Sequence, residues 1–339
     1  MHMADALLSP VVGGTFWMVS AGMIGLSAKK ITAESDGSRT VLMGVLGAFV
    51  FAAQMINFTI PGTGSSGHIG GGLLLAVLLG PWRALITIAS VLCIQALFFA
   101  DGGLLALGCN IFNLAIFPAF IAWPFVYRPI AGDGRSPIRL AVGSIVAATA
   151  GLLMGAMSVV LQTSFSGISD LPSGTFALFM LPIHFVIGVI EGLVTWGVLT
   201  FIARTDPALL SCTAKPNGTR LVTTALLIAA MATGGVLSLF ASTRPDGLEW
   251  SVAETSGSKE LRTSPGTVHS LLARIQERLA LLPDYGFRER RAGVPEGAPD
   301  LAVNPWTSVS GLSGSMLVLL LAASAGLLLR KRRPEAGEP

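Results

Sequence analysis

TFALFMLPIHFVIGVIEGLVTWGVLTFIA, residues 175–203, is the stretch that decides the fold class. A bilayer core takes roughly 20 apolar residues of helix to cross, at about 1.5 Å per residue. This run exceeds that length, and its only ionisable side chains are His184 and Glu191. Working outward, eight further apolar segments stand at 10–28, 41–57, 68–80, 84–100, 104–127, 139–162, 221–242 and 309–329. The third segment is short and opens on Gly70-Gly71-Gly72, which predicts a tilted or protein-buried piece, since irregular backbone is tolerated only away from lipid. The whole chain of 339 residues is 52% hydrophobic and 12% charged, with a mean hydropathy of +0.70. Soluble domains carry about 25% charged residues. The expectation is an all-α polytopic membrane protein with nine crossings.

Orientation follows from the basic residues, which favour cytoplasmic loops. With the N-terminus outside, the inner segments hold Lys29, Lys30, Arg39, Arg83, Arg128, Arg135, Arg139, Arg204, Lys215, Arg220 and the run Arg330-Lys331-Arg332-Arg333. The short outer loops 58–67, 101–103 and 163–174 hold none. The other 8 of the 22 basic residues fall in one long outer segment, 243–308, and long translocated segments escape the rule. The C-terminus is then cytoplasmic. The pI near 9.0 reflects this orientation and not nucleic-acid affinity. The first residues lack a basic n-region and include Asp5, so no secretory signal peptide is expected and Met1-His2 stays in place.

The organisation reads as a seven-helix module over 1–204, a cytoplasmic linker over 205–220, and a second module over 221–339 with two helices bracketing the outer loop. Within that loop Val268, Leu271, Leu272, Ile275, Leu279 and Leu282 recur at helical spacing, predicting a short helix packed on the outer face. His269 is isolated there and reads as surface. Cys93, Cys109 and Cys212 have neither disulfide nor zinc-type spacing. No GxxxxGK[ST], HExxH or GxSxG arrangement with partners occurs, so neither ATP hydrolysis nor hydrolase chemistry is expected on this chain.

Met1-His2 carries coordination chemistry. A free terminal amine, the next amide nitrogen and the His2 Nδ1 close five- and six-membered rings on one metal ion, in the plane that suits Ni(II) or Cu(II). Any extension or trimming at this end would abolish the set. His68 follows Pro61-Gly-Thr-Gly-Ser-Ser-Gly67, too rich in glycine and serine for a plain helix, and on the same side as Met1. Its imidazole is a candidate fourth nitrogen. Metal-binding imidazoles usually donate their second nitrogen to an acceptor. Asp5, Asn57, Ser65 and Ser66 are all candidates for that role.

His184 and Glu191 are seven apart and share one helix face. Ionisable groups inside a membrane face protein or water, either for conduction or ligand support, or as a mutual polar clamp on helix packing. Asn110 and Asn113, near the outer end of the fifth segment, either bond between helices or line the ion entrance.

Met-His at the N-terminus, Ala52-Ala-Gln-Met55-Ile-Asn57-Phe, Gly-Ser-Ser-Gly-His68, Phe-Ala-Asp101-Gly-Gly and Gly-Cys-Asn110-Ile-Phe-Asn113 together resemble the substrate-binding component of energy-coupling-factor transporters for cobalt and nickel. Pro245-Asp246-Gly-Leu-Glu249-Trp250 resembles the hallmark of the small accessory component of the same systems, so the chain looks like a fusion of the two. The resemblance implies that Met1 supplies its amine, His2 its amide and imidazole, and His68 the fourth nitrogen. It also implies a separate transmembrane coupling protein and two cytoplasmic ATPases as partners, with the metal as cargo and no organic cofactor. The His68 loop lacks the Ser-Cys-Ser-His pattern of cobalt-type members and is closer to nickel-type loops, so nickel is favoured over cobalt destined for cobalamin synthesis. Two readings from other classes stand against this: an intramembrane enzyme using His184 and Glu191, and a structural membrane scaffold.

Overall fold

The computed structural model describes residues 2–34, 39–132, 134, 136–210, 219–257, 266–286 and 305–329; Met1, Cys212 and the basic run 330–333 lie outside them. Apart from the two-residue strands Phe58–Thr59 and Ser66–Gly67, which pair antiparallel, its regular structure is helical. Among the described residues seven helices are long and apolar enough to cross a membrane: α1 (Pro10–Ala33), α4 (Pro81–Phe98), α5 (Leu107–Ala131), α6 (Pro137–Ser166), α7 (Ser173–Thr205), α8 (Thr219–Gly235, continued by a tight turn to Phe240) and α11 (Pro305–Leu329). The apolar α2 (Thr40–Gln54) has 15 residues and α3 (Gly72–Leu79) only 8. Two short helices, α9 (Gly247–Ser256) and α10 (Thr267–Leu279), lie in the connection between α8 and α11.

Two of the nine segments read from hydropathy are therefore shorter than a full span. For α3 the reason is visible. The chain enters the bundle as non-helical backbone from His68 to Gly71, and α3 only completes the passage. All eight of its residues are buried, as are Ile69, Gly70 and Gly71 before it, so this irregular stretch is shielded by protein. At the turn Gly71 has φ 77°, and a Cβ there would lie 2.6 Å from Val50 Cγ1. The amides of Gly70 and Gly71 donate to the two Glu191 carboxylate oxygens, at 2.7 and 3.0 Å. At the far end of α3, Arg39 donates to the Leu78 carbonyl.

Local sequence starts and shapes the long helices. Ser9 caps α1 and Ser136 caps α6, each followed by a proline in the first turn, where a missing N–H costs nothing. In α5, Pro118 and Pro124 sit within wide turns from Phe112 to Tyr127, which absorb the lost amide donors. The last two long helices close on α2. Phe51 of α2 and Met55 just after it, Val91 and Ile94 of α4 and Phe99 just after it, and Val318 of α11 form one buried cluster. Packing of this kind, rather than exclusion of water, holds helices together in lipid.

Candidate metal site

The residues that carry the site gather at one end of the bundle, opposite the Arg83–Glu34 ion pair. Two backbone devices set it up. The first fixes the N-terminal segment. Met3 is fully buried, its N–H donates to Asn110 Oδ1 at 2.8 Å, and its carbonyl accepts from Gly103 N–H at 2.9 Å and from Asn110 Nδ2 at 3.3 Å. Asp5 accepts from the Ala106 N–H at 3.0 Å. The second device is the strand pair that ends at Gly67 and delivers His68.

The two imidazoles meet there. The His2 and His68 ring centroids lie 5.1 Å apart with planes 12° from parallel. Their side chains are 5% and 8% exposed. His2 Nδ1 lies 3.3 Å from Asp101 Oδ1, and Asp101 Oδ2 accepts from the Tyr285 hydroxyl. His68 Nδ1 lies 3.1 Å from the Ile69 carbonyl, which can only accept, so Nδ1 carries the proton and Nε2 keeps its lone pair. That Nε2 is 4.0 Å from Asp246 Oδ2. Burial pushes the His68 imidazole down to about 3 and lowers His2 as well. Both rings are thus neutral near pH 7, the form that binds metal.

Asp246 arrives from the second half of the chain. Ser66 N–H and Oγ donate to the Pro245 and Arg244 carbonyls, both at 2.8 Å, and Ser242 N–H donates to the Asn57 carbonyl at 2.7 Å. Asp246 Oδ1 accepts from the Leu248 and Glu249 amides at 2.8 Å, and Glu249 returns a bond to the Asp246 N–H, a reciprocal cap that starts α9. Gly247 allows the close approach to α7: a Cβ there would stand 2.6 Å from Ile183 Cγ2 and 3.2 Å from His184 Cε1.

The remaining sequence candidates divide. Asn110 holds the Met3 backbone. Asn113 exchanges two bonds with Gln162, at 2.9 and 3.1 Å, and lies 3.8 Å from Met3 Sδ, so it supports the segment from beneath. Ser66 ties the strand pair to Pro245, and Ser65 bonds Thr63 Oγ1. The acceptor found at His68 Nδ1 is the Ile69 carbonyl, not Asp5, Asn57, Ser65 or Ser66, because the ring turns back onto its own backbone. His184 and Glu191 do not clamp each other: His184 Nδ1 bonds the Met180 carbonyl while Glu191 holds Gly70 and Gly71. His269 is buried rather than surface, with Nε2 2.9 Å from the Leu8 carbonyl. The predicted apolar stripe docks only in part: Leu272 of α10 and Leu282 just after it pack against buried residues, whereas Val268, Leu271, Ile275 and Leu279 are exposed and Gln276 Nε2 reaches the Ala96 and Gly102 carbonyls. The contacts of Asp101 with His2, of Asp246 with His68 and of Tyr285 with Asp101 were not foreseen as site contacts. The first two were visible only as parts of motifs, and Tyr285 carried no signal.

Among the described residues no three His, Cys, Asp or Glu side chains are placed to hold a metal ion together.

Residues 2–209 match the family described as the cobalt uptake substrate-specific transmembrane region (CbiM), and residues 220–331 match the PDGLE domain. An Archaeoglobus fulgidus chain, provisionally assigned as a fused nickel transport protein NikMN, is 33% identical over 95% of this chain and 96% of its own length. The fused nickel transport protein NikMN of Rhodobacter capsulatus is 32% identical over 62% of this chain and 64% of its own. A crystal structure of a transition metal transporter, 28% identical, superposes with a TM-score of 0.52 over 60% of this chain and 93% of that one.

Proposed function

We propose, on the premise that the chain belongs to the family of the cobalt uptake substrate-specific transmembrane region, that it captures Ni(II) at its outer face through Met1, His2 and His68. The family places it as a multi-pass membrane component of an energy-coupling-factor uptake system for nickel or cobalt; it is a transport protein and not an enzyme. In the finer reading, the Met1 amine, the His2 amide nitrogen and the His2 Nδ1 form three corners of a plane, and His68 Nε2 forms the fourth. The N-terminus faces outward. The ion is passed on with a transmembrane coupling protein and two ATPase subunits, and 1–204 works as the metal module beneath the accessory module 221–339.

The observation that carries this is the meeting of His2 and His68, two buried neutral rings with centroids 5.1 Å apart. Imidazole nitrogens bind divalent ions at roughly 2 Å, so one ion is within reach of both after small ring rotations. The terminal chelate uses the same His2 Nδ1 that faces Asp101, so capture replaces that contact. A four-nitrogen plane favours Ni(II) over Co(II).

Calorimetry on the full chain with a verified native N-terminus tests this. His2→Ala and His68→Ala are each expected to weaken Ni(II) binding at least ~100-fold, about 2.7 kcal/mol, without unfolding the protein. An uncleaved extension before Met1 should do the same. Affinity within twofold of the parent in any of the three removes the terminal chelate. Co(II) binding as tight as Ni(II) would reassign the cargo to cobalt and leave the chelate standing.

A further inference from the structure

Directly inward of His68 lies a cavity of about 10 Å³, lined by His68, His184, Asp246, Leu114, Leu152 and Ile187 among others. That is room for one water-sized species. His184 is 1% exposed. Its Nδ1 is 2.7 Å from the Met180 carbonyl and so carries the proton, which leaves the Nε2 lone pair. Nε2 has no hydrogen-bond partner among the described residues. A polar atom left bare in so apolar a place is costly, and an aliphatic side chain would fill the same space without that cost. Glu191, on the same face of α7, has both carboxylate oxygens engaged by Gly70 and Gly71. Of these two ionisable side chains of α7, His184 is therefore the one with a spare ligand nitrogen.

We infer that His184 is the first inward ligand for the transported ion, taking it from His68 across this cavity. The inference rests on the capture site proposed above. Leu114, Leu152 and Ile187 strip water from the passage, so an ion leaving the terminal chelate needs a protein ligand at once. A neutral imidazole suits Ni(II). The Asp246 carboxylate, on the cavity wall, offsets part of the ion's charge. In the step the bond from His68 Nε2 to the ion breaks and one from His184 Nε2 forms. Each ring already carries its proton on Nδ1, so no proton moves and no electron is transferred. Two histidines and a carboxylate not gathered around one point make a poor resting site, as befits a place of transit.

The test uses the full chain with its native N-terminus, assembled with its coupling and ATPase subunits in proteoliposomes. Ni(II) binding and ATP-driven Ni(II) uptake are measured on His184→Ser and His184→Cys. The two side chains are nearly equal in size, but only the thiol is a good ligand. Serine is expected to leave Ni(II) affinity within twofold and to cut uptake at least tenfold; cysteine is expected to restore a measurable part of that uptake. Parent-level uptake in the serine variant overturns the inference. So does equal loss in both variants, which would mark a packing role, and so does loss of Ni(II) binding in the serine variant, which would place His184 in the capture site. Failure of the capture site itself shows separately, as unchanged binding in His2→Ala and His68→Ala.

Discussion

The polar mouth and the polar mid-membrane belt of this protein use the same residue types in opposite ways. At the mouth, ionisable side chains face one another: His2 against His68, Asp101 beside His2, and Asp246 beside His68. In the belt, each is tied to main chain, Glu191 to two glycine amides and His184 to a carbonyl of its own helix. The mouth can exchange partners when an ion arrives, because the pairs His2–His68, His2–Asp101 and His68–Asp246 are side chain to side chain. The belt fixes the path of the backbone, because without Glu191 the non-helical entry to α3 would leave amides bare in an apolar bundle.

Four further changes would break or sharpen that contrast. Glu191→Ala should have the largest effect on stability, since it orphans two buried N–H groups at about 1–3 kcal/mol each. Unfolding in detergent, followed by circular dichroism, should show a loss of several kcal/mol; a loss below about 1 kcal/mol would mean the belt is not a backbone device. Gly247→Ala comes next. The added methyl meets Ile183 and His184, and overpacking of this kind costs about 1–3 kcal/mol. It should loosen α9 from α7, read as faster proteolysis of the 243–286 region with α1–α7 intact.

Asp246→Asn separates cap from charge. Asparagine caps a helix as well as aspartate, so α9 should persist, while the carboxylate beside His68 is lost. Ni(II) affinity should fall by roughly three- to tenfold, about 0.6–1.4 kcal/mol, with little change in melting temperature. An unchanged affinity would show that Asp246 acts on the mouth only as a cap. The last test is acid sensitivity. The folded His68 refuses a proton until about pH 3, whereas its ordinary value is 6.5. Between those values the unfolded chain binds more protons than the folded one, so stability present above pH 6.5 is lost as pH falls toward 3. His68→Ala should flatten that part of the pH–stability curve, measured without metal.

How much of this was legible beforehand varies with the kind of signal. Long apolar runs gave the long helices directly, because crossing a bilayer imposes a length that composition reveals. Segment 68–80 did not give its form. Hydropathy cannot separate a short buried helix after non-helical chain from a full span, and the deciding partner, Glu191, lies 120 residues further on. His68 stood out through its loop chemistry. His269 was misread because its neighbours are polar and its acceptor, the Leu8 carbonyl, is at the other end of the sequence.

The sequence by itself determined that this chain lives in a membrane, singled out Met1-His2 and His68 as candidate metal ligands, and marked a second module after the first. Those properties are local: they depend on apolar length, on chelate ring size and on short motifs. Only the tertiary structure decided that His2 and His68 stack at one mouth. It also decided that Asp246 and Tyr285 of the second module reach the residues of the first, and that His184, with one nitrogen left bare, lines a cavity beside His68. Those facts depend on long-range backbone pairing, Ser66 with Pro245 and Met3 with Asn110, which no local pattern encodes.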